Sequence, residues 1–265
     1  MLSFRFFTPS VEASEYVSCY WYIETAGENL HTVLADGKSD IVINCGGELV
    51  NTENGYVSKR GNASLCTITD KFYSMHINGI SRAFGIRVRN DKLANFCAVS
   101  FDGLLSNNID AADIFDKEFY AMLYDAAFLD NADSVAFFCD EAVKKRIRIL
   151  KQKKTAAFDI STALKLIHVR QGNIKSSELA YKMGISDRTI QREFVKNIGL
   201  GAKKYASIVR FNAAIKAIDE YDNLSCLAQD FGYYDHSHLI RDFKKFGNIS
   251  PSNHEKLSDF YKTLQ

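Results

Sequence analysis

Up to about Asn90 the chain places its β-branched and aromatic residues in short runs, and beyond that point apolar residues recur at helical spacing. Tyr16 to Thr25, Ser39 to Cys45, Ala63 to Thr67 and Ala83 to Arg89 are the clearest runs, separated by turn signals at Asp36-Gly37, Gly46-Gly47 and Asn54-Gly55. Short strands at this spacing predict a compact barrel or sandwich. After Asn90, Val135, Phe138, Cys139, Ala142, Val143, Ile147 and Leu150 fall on one face of a helix. That face needs a partner, and two are open: the strand region, or the same helix of a second subunit. Lys151 to Lys154 then reads as a short solvated linker.

From Thr155 onward the pattern is helical, and it repeats. Leu179-Ala180, Gly184, Ile190 and Phe194 are echoed by Leu227-Ala228, Gly232, Leu239 and Phe243. In each unit a short helix stops at a glycine able to turn left-handed, and a polar residue, Ser186 or Asp235, stands where it can cap the next helix. The small Ala180 and Ala228 let the two helices of a unit cross closely. Together these features specify two helix-turn-helix units.

The second helix of the first unit is expected over Asp187 to Asn197, held by Ile190 and Phe194. Arg188, Gln191 and Arg192 then share the outward face, with Thr189 beside them. Arg and Gln are the side chains able to form paired hydrogen bonds with guanine and adenine edges, while Lys196, a turn later, suits a phosphate. In the second unit the helix after Asp235 turns Leu239 and Phe243 inward and shows His236, Ser237, Ile240 and Arg241, followed by Lys244 and Lys245. Ile240 suits a thymine methyl; His238 is equally a structural hydrogen bonder or a contact. Between the units, Ala202 to Tyr221 should form a continuous helix of roughly 30 Å. One turn of B-DNA is about 34 Å, so this spacer can present both heads to successive major grooves.

Composition sharpens this picture. The 265 residues carry a net charge of only +1, but the balance is uneven: 17 of the 33 basic and 20 of the 32 acidic residues precede Thr155, leaving 16 and 12 behind it. The C-terminal part is mildly basic, compatible with a polyanionic partner. Cys19, Cys45, Cys66, Cys97, Cys139 and Cys226 show no pair at zinc or redox spacing and read as reduced thiols. No apolar run is long enough to span a bilayer, and the N-terminus lacks a leader pattern, so a cytoplasmic protein is expected.

At these residues the chain resembles the AraC family of transcription regulators, over about residues 160–256. The first unit and spacer match at Leu179-Ala180, Gly184, Ser186, Arg188, Arg192, Phe194, Gly199, Tyr205, Arg210 and Ala214. The second matches from Leu227-Ala228 through Gly232, Asp235, Ser237, His238, Arg241, Phe243, Lys244 and Lys245 to Ser250-Pro251. The chain departs from the pattern at Ala202, where a proline is usual, at Asn248 for glycine and at His254 for tyrosine. Asn tolerates the left-handed conformation, so the second change is mild. The resemblance implies binding to double-stranded promoter DNA, contact with RNA polymerase, and activation as the expected sense.

Residues 4 to about 150 also resemble the cupin-like domain of one branch of that family, through Tyr20-Trp21-Tyr22, Leu34 to Gly37 with Asp40 to Asn44, and Phe84 to Val88. This implies a small-molecule effector site or a homodimer contact. The expected fold class is therefore α+β: a β-rich cupin-like domain with following helices over residues 1–154, then an all-α domain over 155–265. Candidate ligand contacts are Trp21, Asp36, Asp40 and Arg87. Asp36 and Asp40 read first as turn and strand-end chemistry, ahead of ligand contact, while Trp21 and Arg87 read equally as core and salt bridge. His31 and His76 stand apart from the clustered ligands a metal-dependent cupin enzyme needs, so neither metal nor cofactor is expected. Two alternatives remain: a cupin-type enzyme with a DNA-binding tail, and a DNA binder regulated by a partner rather than a ligand.

Overall fold

The computed structural model of the chain describes residues 2–27, 29–77, 79–106, 108–152 and 158–256. The N-terminal half holds strands β1 (Leu2–Phe7), β2 (Val17–Thr25), β3 (Asn29–Val33), β4 (Ser39–Asn44), β5 (Leu49–Asn51), β6 (Val57–Ser58), β7 (Ala63–Cys66), β8 (Tyr73–Ile77) and β9 (Ser81–Val88). Helix α1 (Leu93–Cys97), strand β10 (Asn108–Asp110) and helices α2 (Ala111–Ile114), α3 (Lys117–Ala126) and α4 (Ala132–Gln152) follow. The C-terminal half is helical: α5 (Ser161–Val169), α6 (Ser176–Lys182), α7 (Asp187–Ile198), α8 (Ala202–Ala217), α9 (Leu224–Asp230) and α10 (His236–Gly247). The expected boundary between residues 154 and 155 lies outside the described residues.

Two sheets form, in the orders β1-β2-β9-β4-β7-β10 and β3-β8-β5-β6. Their ladders are antiparallel, so successive side chains of each strand face opposite sides. On the six-stranded sheet this alternation sorts the residues cleanly. Tyr20, Ile41, Ile43, Phe84, Ile86 and Val88 face a core built with Val135, Cys139, Ala142, Val143 and Ile147 of α4. The face of α4 predicted to be apolar therefore rests on the strand region, which decides that alternative. Trp21, Ile23, Val42 and Ala83 point the other way and meet Leu49, Met75 and Ile77 of the four-stranded sheet in a smaller cluster.

Arg146, on the buried face of α4, pins the helix. Its guanidinium donates to the Phe96 carbonyl at 2.8 Å and to Asp116 at 3.0 Å, and lies 4.6 Å from the Phe115 ring centroid. Helix α3 begins at Asp116, whose other carboxylate oxygen caps Phe119 N. One short segment thus fixes both helices against the sheet.

The two halves share an apolar boundary. Ala35 and Ile68 of the N-terminal half are buried in the same cluster as Phe194, Tyr205, Ile208, Phe211 and Phe246. Polar ties reinforce it: Asn90 donates to both the Gly37 carbonyl and the Tyr205 hydroxyl, and Asn212 to the Ala35 carbonyl at 3.2 Å. Lys204 of α8 pairs with Asp70.

Between the sheets, the indole of Trp21 lies directly over Gly85, its registered partner on β9. A Cβ at position 85 would stand 1.9 Å from Trp21 Cε2, an impossible contact. Gly85→Ala must displace the indole, and is expected to lower stability by about 1–3 kcal/mol with a red-shifted tryptophan emission. Urea unfolding followed at the single tryptophan checks this; an unchanged midpoint and spectrum would contradict it.

Candidate nucleic-acid interface and internal cavity

The first helix-turn-helix unit forms where the capping chemistry places it. Gly184 takes φ +66°, and Ser186 Oγ accepts from Thr189 N at 3.1 Å to start α7. Ile190, Phe194 and Ile198 are buried, so the opposite face of α7 is turned outward. Arg188, Arg192 and Lys196 stand exposed along it at i, i+4 spacing. The Arg192 side chain keeps 70% of its surface free and rests against Glu193 at 3.2 Å.

Two of the expected outward residues are placed differently. Gln191 is half-buried: its amide nitrogen donates to Ser176 Oγ at 2.5 Å, and its oxygen crowds the position a Cβ on Gly201 would take. Helical spacing sets it beside the arginines, but a hydrogen bond to α6 draws the side chain along the protein surface. Thr189 joins the cap, its hydroxyl 2.8 Å from Ser186 Oγ.

The second unit repeats the scheme. Gly232 takes φ +70°, and Asp235 accepts from His238 N at 2.7 Å to open α10. Leu239, Phe243 and Phe246 are buried, leaving His236, Ser237, Arg241, Lys244 and Lys245 exposed and Ile240 half-buried. His238 turns edge-on to the Tyr233 ring, with centroids 5.2 Å apart. At the far end of α10, Asn248 adopts φ +54°, the left-handed cap its side chain tolerates.

Helix α8 spans about 24 Å at 1.5 Å per residue, and the helical turn Ile218–Glu220 adds about 6 Å, close to the expected spacer. Arg210, a position that helical spacing alone did not mark as functional, anchors the second unit to it. Its guanidinium lies 4.3 Å from the Tyr233 ring centroid, donates to the Gly232 carbonyl at 3.3 Å and pairs with Asp242 of α10 at 3.7 Å. Burial raises the Asp242 carboxyl above its ordinary value, and Arg210 works against that rise.

The N-terminal half encloses a cavity of about 140 Å³ between its sheets. Trp21, Ile23, Val42, Leu49, Met75 and Ile77 make it apolar; Asp36, Lys38, Asp40 and Arg87 form a charged end. Arg87 donates to both oxygens of Asp40 and to Asp36, each at 2.9 Å. All four candidate ligand residues therefore line one space. Asp36 also accepts from Lys38 N in a turn, and Arg87 is both a buried ion-pair partner and a cavity wall. Burial raises the Asp36 carboxyl against the pull of Arg87, with Asp40 adding to the rise. It also lowers the Lys38 ammonium. Asp36 and Lys38 further line a cleft toward the C-terminal half, shared with His168, Asn212 and Lys216. Among the described residues, no group of three or more His, Cys, Asp or Glu side chains is placed to hold a metal ion. Nor is any helix there long and apolar enough to cross a membrane.

Residues 179–256 match a family model described as a helix-turn-helix domain, and residues 5–110 match a domain of unknown function. Comparison with curated proteins finds no relative. Among solved structures, ToxT from Vibrio cholerae is 11% identical, covers 95% of this chain and 97% of its own, and superposes with a TM-score of 0.49. Unsaturated fatty acid bound ToxT from strain SCE256 is 12% identical, with coverage of 96% and 94% and a TM-score of 0.46. The AraC-like transcriptional activator CuxR is 9% identical, with coverage of 73% and 79% and a TM-score of 0.33. Overall likeness at this level transfers no ligand.

Removing Arg210 strands a buried carboxylate at the centre of the second unit. Arg210→Ala is expected to destabilise the chain by about 3 kcal/mol, and Asp242→Asn in the same chain to restore part of that loss. Urea titration of the two single variants and the double variant measures it; strictly additive losses would deny the coupling.

Proposed function

We propose that this chain, which carries a helix-turn-helix domain of the AraC type over residues 179–256, is a transcription regulator that reads two successive major grooves of promoter DNA. The observation that carries the reading is the pair of capped helices, α7 and α10, set at either end of a rigid spacer. Each buries an apolar stripe and turns a polar or basic face outward. A charged face alone belongs to any solvated helix. Two such faces, each opened by a side-chain cap and joined by a helical spacer of about 30 Å against the roughly 34 Å of one turn of B-DNA, match what a duplex presents.

Within this reading Arg188 and Arg192 address base edges from α7, and Lys196 a phosphate; Thr189 and Gln191 contribute once released from Ser186 and Ser176. His236, Ser237, Ile240 and Arg241 face the second groove, with Lys244 and Lys245 on the backbone. The N-terminal domain supplies regulation by admitting a small molecule with an apolar body and a polar end. The apolar walls of the cavity and its Arg87–Asp36–Asp40 end support that class. Activation through RNA polymerase and pairing of two subunits belong to the same reading, by resemblance to the AraC family.

Residues that read sequence and residues that hold the backbone should fail differently. Arg192→Ala is expected to lose about 1–3 kcal/mol on the preferred duplex and to relax the choice of base there. Lys196→Ala should weaken preferred and scrambled duplexes alike, and reduce the salt slope of binding by about one. Titrating both variants on both duplexes at two salt concentrations tests this. Equal losses on the two duplexes for Arg192→Ala would remove that residue from base reading.

A further inference from the structure

The wall that separates the cavity from the DNA-binding half is one residue thick. In the segment 34–36, a tight turn closed by Asp36 N donating to the Leu34 carbonyl at 3.0 Å, Leu34 and Asp36 line the cavity while Ala35 between them is buried in the C-terminal core. Segment 67–69 repeats the pattern: Thr67 and Thr69 line the cavity, and Ile68 enters the C-terminal core. Each segment thus serves both spaces at once, its outer two residues turned to the cavity and its middle one to the helical core.

Ala35 of the first segment, with Phe72 and Phe101 of neighbouring loops, fastens the recognition helices near their C-terminal ends. Ala35 N donates to the Phe246 carbonyl at 2.9 Å, and Phe72 N to the Lys245 carbonyl at 3.2 Å, both in the last turn of α10. Phe72 adjoins Tyr73, another cavity residue. Phe101 N donates to the Lys196 carbonyl at 2.9 Å, near the end of α7. The loop carrying Phe101 is itself tied to the wall, through Thr67 Oγ1 to the Leu104 carbonyl at 2.5 Å and Ser106 N to the Ile68 carbonyl at 3.0 Å. Each of these three amides is one residue or one short loop from the cavity.

We propose that this wall is the coupling element of the regulator: a molecule filling the cavity pushes the 34–36 and 67–69 segments, loosens the three amide clamps, and frees the two recognition helices from their fixed relative setting. The inference rests on the reading of α7 and α10 as DNA-binding helices, and adds how the cavity controls them. Coupling needs no displacement of side chains at the DNA face, because the clamps hold helix backbone and leave the reading side chains free. It also sets the ligand class: a compact apolar molecule whose polar group meets the Arg87 end, since the cavity holds about 140 Å³ and its walls away from that end are mostly apolar.

The cavity can be filled without knowing its natural ligand. Ala83→Leu and Val42→Phe, made separately in the full chain, each add carbon atoms to the cavity from the six-stranded sheet, and neither residue belongs to the wall. Retained amide protection in β2 and β9 identifies a variant that has kept its sheet. In such a variant, hydrogen exchange at the Ala35, Phe72 and Phe101 amides is expected to quicken, and affinity for a duplex selected by the unmodified chain to fall, each by roughly fivefold or more. Unchanged exchange at all three amides together with unchanged affinity, in a variant whose sheet is intact, would overturn the wall as a coupling element and leave the DNA-binding reading standing. If the unmodified chain preferred no duplex over competitor, the DNA-binding reading would fall and the inference with it.

Discussion

A helix ends in carbonyls that its own backbone cannot pair, and in this chain the last turns of α7 and α10 find donors in the N-terminal domain. That requirement organises the molecule. It places the segments 34–36 and 67–69 against the helical half and makes Ala35 and Ile68 part of its core. The two reading heads are consequently held three ways: by α8 between them, by Arg210 within the second unit, and by backbone amides from outside.

The sheet geometry explains how one domain can both brace the helices and hold a cavity. Period-two alternation gives the six-stranded sheet one face for the α4 core and another for the cavity, with Trp21 seated over Gly85 between them. The polar end is affordable only because it is nearly self-neutralising: one guanidinium meets two carboxylates, all shielded from water. A ligand entering there meets charges already paired, so shape and apolar contact govern admission more than net charge does.

Much of the helical half was legible in the sequence, because its determinants are local. Ser186 and Asp235 mark helix starts, Gly184 and Gly232 mark turns, and the stripes Ile190/Phe194 and Leu239/Phe243 fix which face is buried. Strands β2, β4, β7 and β9 were equally legible, being rich in β-branched and aromatic residues. Strands β3 and β8 were not. Their residues line a cavity or meet solvent, so the apolar alternation is diluted by polar residues such as His31, Thr32, Ser74 and His76. Helices α1 to α3 were missed because α1 and α2 are only five and four residues long, and α2 and α3 are marked at their starts by the single caps Asp110 and Asp116. The grouping of Arg87 with Asp36 and Asp40 depends on strand register, and the interdomain clamps on backbone amides that carry no side-chain signature. Gln191 was set outward by helical spacing, which has no means of seeing Ser176 on the neighbouring helix.

The central claim is that two heads in fixed relation read successive grooves of one duplex face. It is tested most directly by inserting about five base pairs, half a helical turn, between the two elements of a selected duplex and measuring the affinity of the full chain. A rigidly braced pair must lose the second element, and binding should fall to the level of a duplex carrying one element alone. Affinity unchanged by the insertion would mean that the heads are not held in register, and would contradict the account.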